Sequence, residues 1–303
     1  MDKAFRVVRV QSGKFSVSMN GEEKLVLVPK KLRYQSPEFV DPVSVGDWVH
    51  LDLDSDTPVI TSVLPRTNAL SRPASGRANK RQVVATNIDL AIVVLAAVTP
   101  KWKPTTLDRY LLLAEAAGIK QMLCLNKIDL DPTVVSNPML EPYRNMGLPI
   151  VFTSNETGEG LSELVEAAAG KTCVFFGSSG VGKSSLINTI IPGADLRVGE
   201  VSDRTQKGMH TTTWVELRPF GKGGSLIDSP GLRVLDLSGI HVPDLPEFFP
   251  DFLPYLGGCH FDDCGHASEP KCTVRDALAE GKINTGRYES YIRIRESLLA
   301  GTG

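Results

Sequence analysis

Apolar and polar positions alternate in short runs over the first 65 residues, at 6–10, 14–19, 24–29, 47–53 and 59–64, with Gly, Pro, Asn and Asp between the runs. A period of two with turn formers between the runs predicts strands, and five short strands without a convincing helix predict a small β-barrel, an OB-fold, over residues 1–65. Such barrels commonly bind nucleic acid through one face, and a barrel used for protein contact has the same pattern. Residues 66–82 lack a long apolar pattern and read as an inter-domain linker. From residue 83 the texture changes to buried apolar strands alternating with amphipathic helices, which predicts a parallel α/β sheet through residue 237. Its strands are read at 90–96, 121–125, 149–152, 173–176, 214–217 and 224–227. A helix is read from Thr105 to Gly118, with Thr105 and Asp108 as a variant capping box. Residues 238–303 add two helices, one capped by Thr273 and Asp276 and ending at Gly281, the other over 286–300.

Composition changes this picture in three places. At 303 residues, 42% hydrophobic and 22% charged, the chain suits two or three globular domains. No apolar run approaches the ~18 residues of a membrane span, and the first ten residues form neither an export signal nor an amphipathic leader, so a cytoplasmic monomer off the membrane is expected. The net charge of −2 hides segregation: residues 1–33 carry eight Lys/Arg against three acids, and 34–60 carry six acids and no Lys or Arg. Residues 61–82 carry Arg66, Arg72, Arg77, Lys80 and Arg81 with no acid, a phosphate-contacting pattern that a plain linker shares. Five cysteines, an odd number without an export signal, argue against a disulfide framework. Cys124 and Cys173 lie in apolar strands and read as small buried hydrophobes.

The chemistry centres on residues 174–185, VFFGSSGVGKSS. A buried strand runs into Gly177, Ser178, Ser179, Gly180, Val181, Gly182, Lys183, Ser184 and Ser185, the phosphate-loop pattern. The glycines let backbone N–H groups reach phosphate oxygens, Lys183 supplies charge, Ser184 offers a hydroxyl to Mg²⁺, and the following helix points its positive end at the anion. Upstream, a strand ends in Asn126, Lys127, Ile128 and Asp129. One carboxylate at Asp129 can accept both adjacent donors of guanine, which adenine lacks, while Asn126 meets the acceptor edge and the Lys127 stem covers the base. Thr153 and Ser154 begin a second loop suited to the base. Downstream, Thr211, Thr212 and Thr213 include a candidate Mg²⁺ ligand, and Asp228 and Gly231 form Asp-x-x-Gly, for water-mediated Mg²⁺ binding and a γ-phosphate contact. Cys259, Cys264, His266 and Cys272 have the donor set of a closed tetrahedral Zn²⁺ site, structural in kind, with His260 a rival awkwardly adjacent to Cys259. Arg287, Arg293 and Arg295 offer either an RNA contact or a solvated helix face.

The order of these motifs is informative. Ordinary GTPases carry the phosphate loop first and Asn-Lys-x-Asp late, whereas here the base-reading elements precede the phosphate loop and both switches, a circular permutation. With a barrel in front and a Cys/His cluster behind, the whole chain resembles the circularly permuted GTPases of the ribosome small-subunit-dependent GTPase A family. The resemblance implies hydrolysis of GTP to GDP with Mg²⁺, one structural Zn²⁺, and action in late assembly of the small ribosomal subunit, with rRNA contacted through the barrel and zinc domain. A different class of reading makes the chain an RNA-binding assembly factor in which nucleotide is only a switch. An ATPase is disfavoured by Asn126 and Asp129. Leu232 stands where many GTPases carry a water-orienting glutamine. His210 is the nearest replacement candidate, and the resemblance supports it, since family members have a histidine at the matching position.

Overall fold

The computed structural model describes residues 3–301 apart from 36–38, 75–79, 192, 195–213, 229–236 and 238, with backbone alone at 33–35 and 214. The expectations for His210, Thr211, Thr212, Thr213, Gly231 and Leu232 therefore lie outside the described residues.

Five strands build the N-terminal barrel: β1 (Phe5–Gln11), β2 (Lys14–Met19), β3 (Glu22–Val26), β4 (Trp48–Asp52) and β5 (Val59–Val63). β1 pairs antiparallel with β2 and β4, β2 with β3, and β4 with β5, and a parallel bridge from Leu27 to Val59 closes the circle. Inward residues of alternating strand positions, Phe5, Val7, Phe15, Val17, Val49 and Ile60, form its core. The expectation of no helix is corrected here. α1 (Lys30–Gln35) follows β3, and Leu32 packs into the barrel core. A helix of six residues is too short to leave a periodic pattern that can be read from the sequence.

The stretch read as a linker is corrected too. β6 (Ala69–Pro73) and β7 (Arg81–Thr86) pair antiparallel as a separate two-stranded sheet. Three of its basic side chains serve the fold. Arg66 donates to both carboxylate oxygens of buried Asp47 at 2.7 and 2.8 Å, Arg72 donates to Gln82, and Arg81 to Ser71. Asp47 also accepts from the Thr86 hydroxyl at 2.9 Å, so this carboxylate joins the barrel to the end of β7.

The central sheet contains β8 (Leu90–Ala96), β9 (Lys120–Asn126), β10 (Ile150–Thr153), β11 (Thr172–Phe176), β12 (Trp214–Phe220) and β13 (Gly224–Asp228). Spatial order is β10-β9-β8-β11-β13-β12, all parallel except β12. Every residue of β8 and β11 is buried, as expected for strands covered on both faces. α2 (Pro104–Ala116) covers one face through Leu107, Leu111 and Ala114. α4 (Leu161–Ala167) and α5 (Lys183–Ile190) cover the other through Leu164, Leu186 and Ile187, and α3 (Glu141–Asn145) adds Tyr143 to the core on the α2 side. The sheet does not stop at β12: β1 of the barrel pairs with it, so barrel and central domain share one continuous sheet of eleven strands.

At α2 the proposed cap is also corrected. Lys103 occupies the N-cap without a side-chain bond, and Pro104 begins the helix. Asp108 is instead fully buried against α7 (Thr285–Leu299), because α2 serves two cores. Its Leu112 joins Leu245, Phe249, Phe252, Tyr291 and Ile294 in the core of the C-terminal unit, which also contains α6 (Thr273–Ala279).

Candidate functional site

The C-terminal ends of β9, β10 and β11 converge, and the side chains there bind one another before any ligand is considered. Asn126 closes β9 and is completely buried. Its amide donates to the Val181 carbonyl at 3.0 Å, inside the phosphate loop, and its oxygen accepts from the Thr153 hydroxyl at 3.1 Å, at the end of β10. Reading the base was the role expected of Asn126. The structure adds another, since one amide side chain fastens three loops together. Lys127 takes a left-handed backbone, φ 64°, and its ammonium donates to the carbonyls of Thr99 and Gly180 at 2.8 and 2.6 Å. The lysine stem is thereby stretched along the floor between the base loops and the phosphate loop. Asp129 stands one turn on and accepts from the Ser154 hydroxyl at 2.6 Å, while that hydroxyl also receives the N–H groups of Glu156 and Thr157. Ile128 is buried beneath them.

Two glycines show why the loops approach so closely. A Cβ on Gly182 would lie 2.3 Å from the Asn126 amide nitrogen, and one on Gly177 would lie 2.3 Å from the Val94 carbonyl. The phosphate loop therefore fits the sheet only without side chains at these points. Lys183, the first residue of α5, donates to the carbonyls of Gly177 and Ser178 at 2.5 and 2.7 Å, which holds its ammonium over the loop. Ser178, Ser184 and Ser185 are half-buried, Ser179 and Gly180 are exposed, and Val181 anchors the loop in the core. Asp228 ends β13, next to β11. Strand, glycine cradle, lysine and helix start form an anion site, and the carboxylate at Asp129 stands with the base loops that Asn126 ties to it.

A second cluster lies in the C-terminal unit. The ligand atoms of Cys259, Cys264, His266 and Cys272 all lie within 4.8 Å of one another. His266 Nδ1 is 3.6 Å from the Cys259 sulfur and 3.4 Å from that of Cys272, and the two sulfurs are 3.9 Å apart. A tetrahedral ion with Zn–S of about 2.3 Å and Zn–N of about 2.0 Å requires S···S of roughly 3.8 Å and S···N of roughly 3.5 Å. Cys259, His266 and Cys272 fit that geometry, and Cys264 stands within 4.8 Å of them as the fourth donor. His260, the rival ligand, is outside the cluster and packs its ring edge-on against Phe261. Burial holds the His266 imidazole below its ordinary range, which favours the neutral form a metal needs.

The residues that shape this cluster escape a spacing argument. Glu269 accepts from the backbone N–H groups of Gly265, Ala267 and Ser268 at 3.0, 2.8 and 2.9 Å. Burial opposes its charge, but these bonds outweigh it and pull the carboxyl down to about 2. Tyr288 and Tyr291 donate to the carbonyls of His266 and Gly265. Thr273 was expected to cap α6. The N-cap is Cys272, and the Thr273 hydroxyl donates to the Tyr255 carbonyl at 2.5 Å and lies 3.2 Å from the Cys259 sulfur. The single carboxylate between His266 and Cys272, at Glu269, was the only sequence signal of this clasp.

Arg287, offered as an RNA contact, is buried in an ion cluster: it donates to Asp108 of α2 and to both oxygens of Asp251 at 2.8 and 3.3 Å. Its guanidinium also stacks on Phe249 and Tyr143, at 4.8 and 5.5 Å. Arg293 pairs with Glu289 on the exposed face, and Arg295 lies against Gly265 of the metal loop. Cys124 and Cys173 are buried, and desolvation pushes both thiols up to about 12, so they are inert packing.

A glycine cradle before a helix, base loops fastened to it through Asn126, and the position of those base loops ahead of the phosphate loop along the chain define a circularly permuted P-loop GTPase with an N-terminal barrel. The chain belongs to the RsgA GTPase family, whose family model matches residues 63–238, more than half its length. It is 39% identical over 298 residues to the small ribosomal subunit biogenesis GTPase RsgA of Gemmatimonas aurantiaca, covering 97% of this chain and 94% of the relative. The RsgA of Syntrophotalea carbinolica is 36% identical over 306 residues, covering 98% and 84%. Among solved structures, the chain is similar to YjeQ from Thermotoga maritima, with a TM-score of 0.79, 33% identity and 98% of each chain covered. It is also similar to YloQ, a circularly permuted GTPase, with a TM-score of 0.73, 29% identity and coverage of 99% and 96%. The chain is accordingly a GTP hydrolase, and no described helix is long and apolar enough to cross a membrane.

Proposed function

We propose that this GTPase acts in late maturation of the small ribosomal subunit, that the subunit stimulates its hydrolysis, and that the barrel and the zinc domain bind rRNA. Guanine is read by Asp129, with Asn126 and Lys127 holding the base loops, and Thr153 and Ser154 supporting them. Gly177 to Ser185 cradle the phosphates. Ser184, Asp228 and one of Thr211 and Thr212 hold Mg²⁺, and Gly231 meets the γ-phosphate. An Mg²⁺ ion held there would supply neutralisation of the charge on the phosphates. Cys259, Cys264, His266 and Cys272 hold one structural Zn²⁺, which fastens the loop packed on α7. The protein works as a cytoplasmic monomer, with units at 1–65, 83–237 and 238–303, the first two joined through the β6–β7 pair.

The observation that carries this reading is the Asn126 side chain, which joins the phosphate loop to both base loops. Relatives covering nearly the whole chain, named for small-subunit biogenesis, support the partner. The deciding experiment is single-turnover GTP hydrolysis with and without purified small subunits. Turnover accelerated by the subunit supports an enzyme coupled to assembly, whereas subunit binding that leaves the rate unchanged favours a nucleotide-switched binding factor. Within that assay His210→Ala is expected to keep GTP affinity and subunit binding and to lose most of the stimulation. Wild-type stimulation would move the catalytic group elsewhere.

A further inference from the structure

The sheet pairing that joins barrel to central domain places three charged residues in one transverse row. Arg9 of β1 is directly opposite Glu216 of β12, and Glu216 is directly opposite Asp228 of β13. Opposed residues on antiparallel neighbours project from the same side of a sheet, with Cβ atoms about 4.5–5.5 Å apart. Two carboxylates opposed in this way destabilise the pairing unless a cation intervenes. Two cations flank Glu216, and one comes from the barrel: Arg9 donates to Glu216 at 2.6 Å and lies 3.4 Å from Glu23 of β3. Arg218, on the same side of β12, lies 3.1 Å from the other Glu216 oxygen and donates to the Ala194 carbonyl just beyond α5. The network thus runs from barrel strand to the strand beside Asp228 and on to the helix that follows the phosphate loop.

We propose that Arg9 is a positioning residue for GTP hydrolysis, a barrel side chain that completes, with Arg218, the neutralisation of Glu216 and so keeps the strand pair carrying Asp228 in its working register. Docking of the barrel thereby becomes a condition of turnover. The inference rests on the reading of Asp228 as the Mg²⁺-associated carboxylate. Arg9 touches no substrate. It acts through Glu216, whose charge is the element that has to be controlled. The Glu216 bond raises the Arg9 guanidinium pKa, in keeping with a cation held by its partner.

The test is single-turnover hydrolysis of Mg²⁺-GTP by the full chain, with GTP affinity measured separately. Arg9→Met should lower the rate at saturating GTP about fivefold, the upper end of what a part-exposed ion pair contributes, and leave GTP affinity within about twofold. Adding Glu216→Gln to Arg9→Met should restore most of the rate, because the anion opposite Asp228 is then gone. The exchanged pair, Arg9→Glu with Glu216→Arg, should fall below wild type, since it sets a carboxylate beside Glu23 and a second arginine beside Arg218. An unchanged rate in Arg9→Met overturns the proposal, as does a failure of Glu216→Gln to rescue, which would make Arg9 only a brace between strands. Asp228→Asn tests the underlying reading by itself: Mg²⁺-dependent turnover persisting there removes Asp228 from the site whatever Arg9 does.

Discussion

Replacing Arg287 with methionine should loosen the attachment of the C-terminal unit to the GTPase domain without touching nucleotide. The Asp108 side chain is 0% exposed and Arg287 is 4% exposed, whereas Asp251 retains 16% and can rehydrate. Burial pushes the Asp108 carboxyl up, with Arg287 opposing the shift, and burial likewise works against the Arg287 charge, which Asp108 and Asp251 more than offset. Methionine fills much of the arginine stem's volume but leaves Asp108 buried beside no cation. Removing one partner of a buried pair costs about 3–5 kcal/mol, against a total stability of about 5–15 kcal/mol. The lost stacking on Phe249 and Tyr143 belongs to the same perturbation and is not additive with it. At about 4–8 °C per kcal/mol for a unit of this size, the melting transition of the C-terminal unit should fall by roughly 12–40 °C. Differential scanning calorimetry measures this, with GTP titration as the control. The double variant Asp108→Leu with Arg287→Met should recover most of the loss, because apolar replacement of both partners is often neutral. A shift below about 1 kcal/mol in Arg287→Met, together with weakened binding to small subunits, would refute the burial argument and return Arg287 to the RNA surface.

Four further outcomes are expected. Cys264→Ser should release Zn²⁺ and destabilise residues 255–300 while GTP affinity holds, and stoichiometric zinc retained by elemental analysis would remove Cys264 from the ligand set. Asp129→Asn should weaken GTP and favour xanthine nucleotides, because an amide donor then meets the xanthine C2 carbonyl; unchanged GTP affinity in a direct titration would exclude Asp129 as base reader. Gly177→Ala, whose Cβ would stand 2.3 Å from the Val94 carbonyl at φ 142°, should strain the phosphate loop by about 1–3 kcal/mol and weaken GTP at least fivefold by calorimetry. Glu269, held down to about 2 from an ordinary 4.5, stabilises its loop above about pH 4.5 and loses that contribution as pH falls toward 2. The stability difference between wild type and Glu269→Gln in urea unfolding should therefore be constant at neutral pH and close over that window; a difference that persists unchanged at the acid end would contradict the backbone clasp.

Much of this molecule is legible in its sequence because the relevant physics is local. Contiguous residues build the phosphate loop, the Asn-Lys-x-Asp turn is four neighbours long, and the metal donors fall within fourteen residues, so spacing alone identifies their chemistry. Alternation predicts the barrel strands, and continuous apolar runs predict the parallel ones, since each pattern records how many faces of a strand are buried. The order of the motifs along the chain was itself enough to reveal the permutation. Charge is where sequence reading failed. Arg66, Arg72 and Arg287 look like basic surface along the chain, yet they bind Asp47, Gln82 and the Asp108–Asp251 pair, partners up to 179 residues away. Thr105 and Asp108 look like a cap, and α2 begins without one because Asp108 is required at a domain contact. A long polar side chain finds its partner only after the backbone has brought distant strands and helices together, and nothing in its neighbours along the chain encodes that meeting. The Arg9, Glu216 and Asp228 row has the same origin: three residues from three strands, aligned by pairing register, which only the tertiary structure decides.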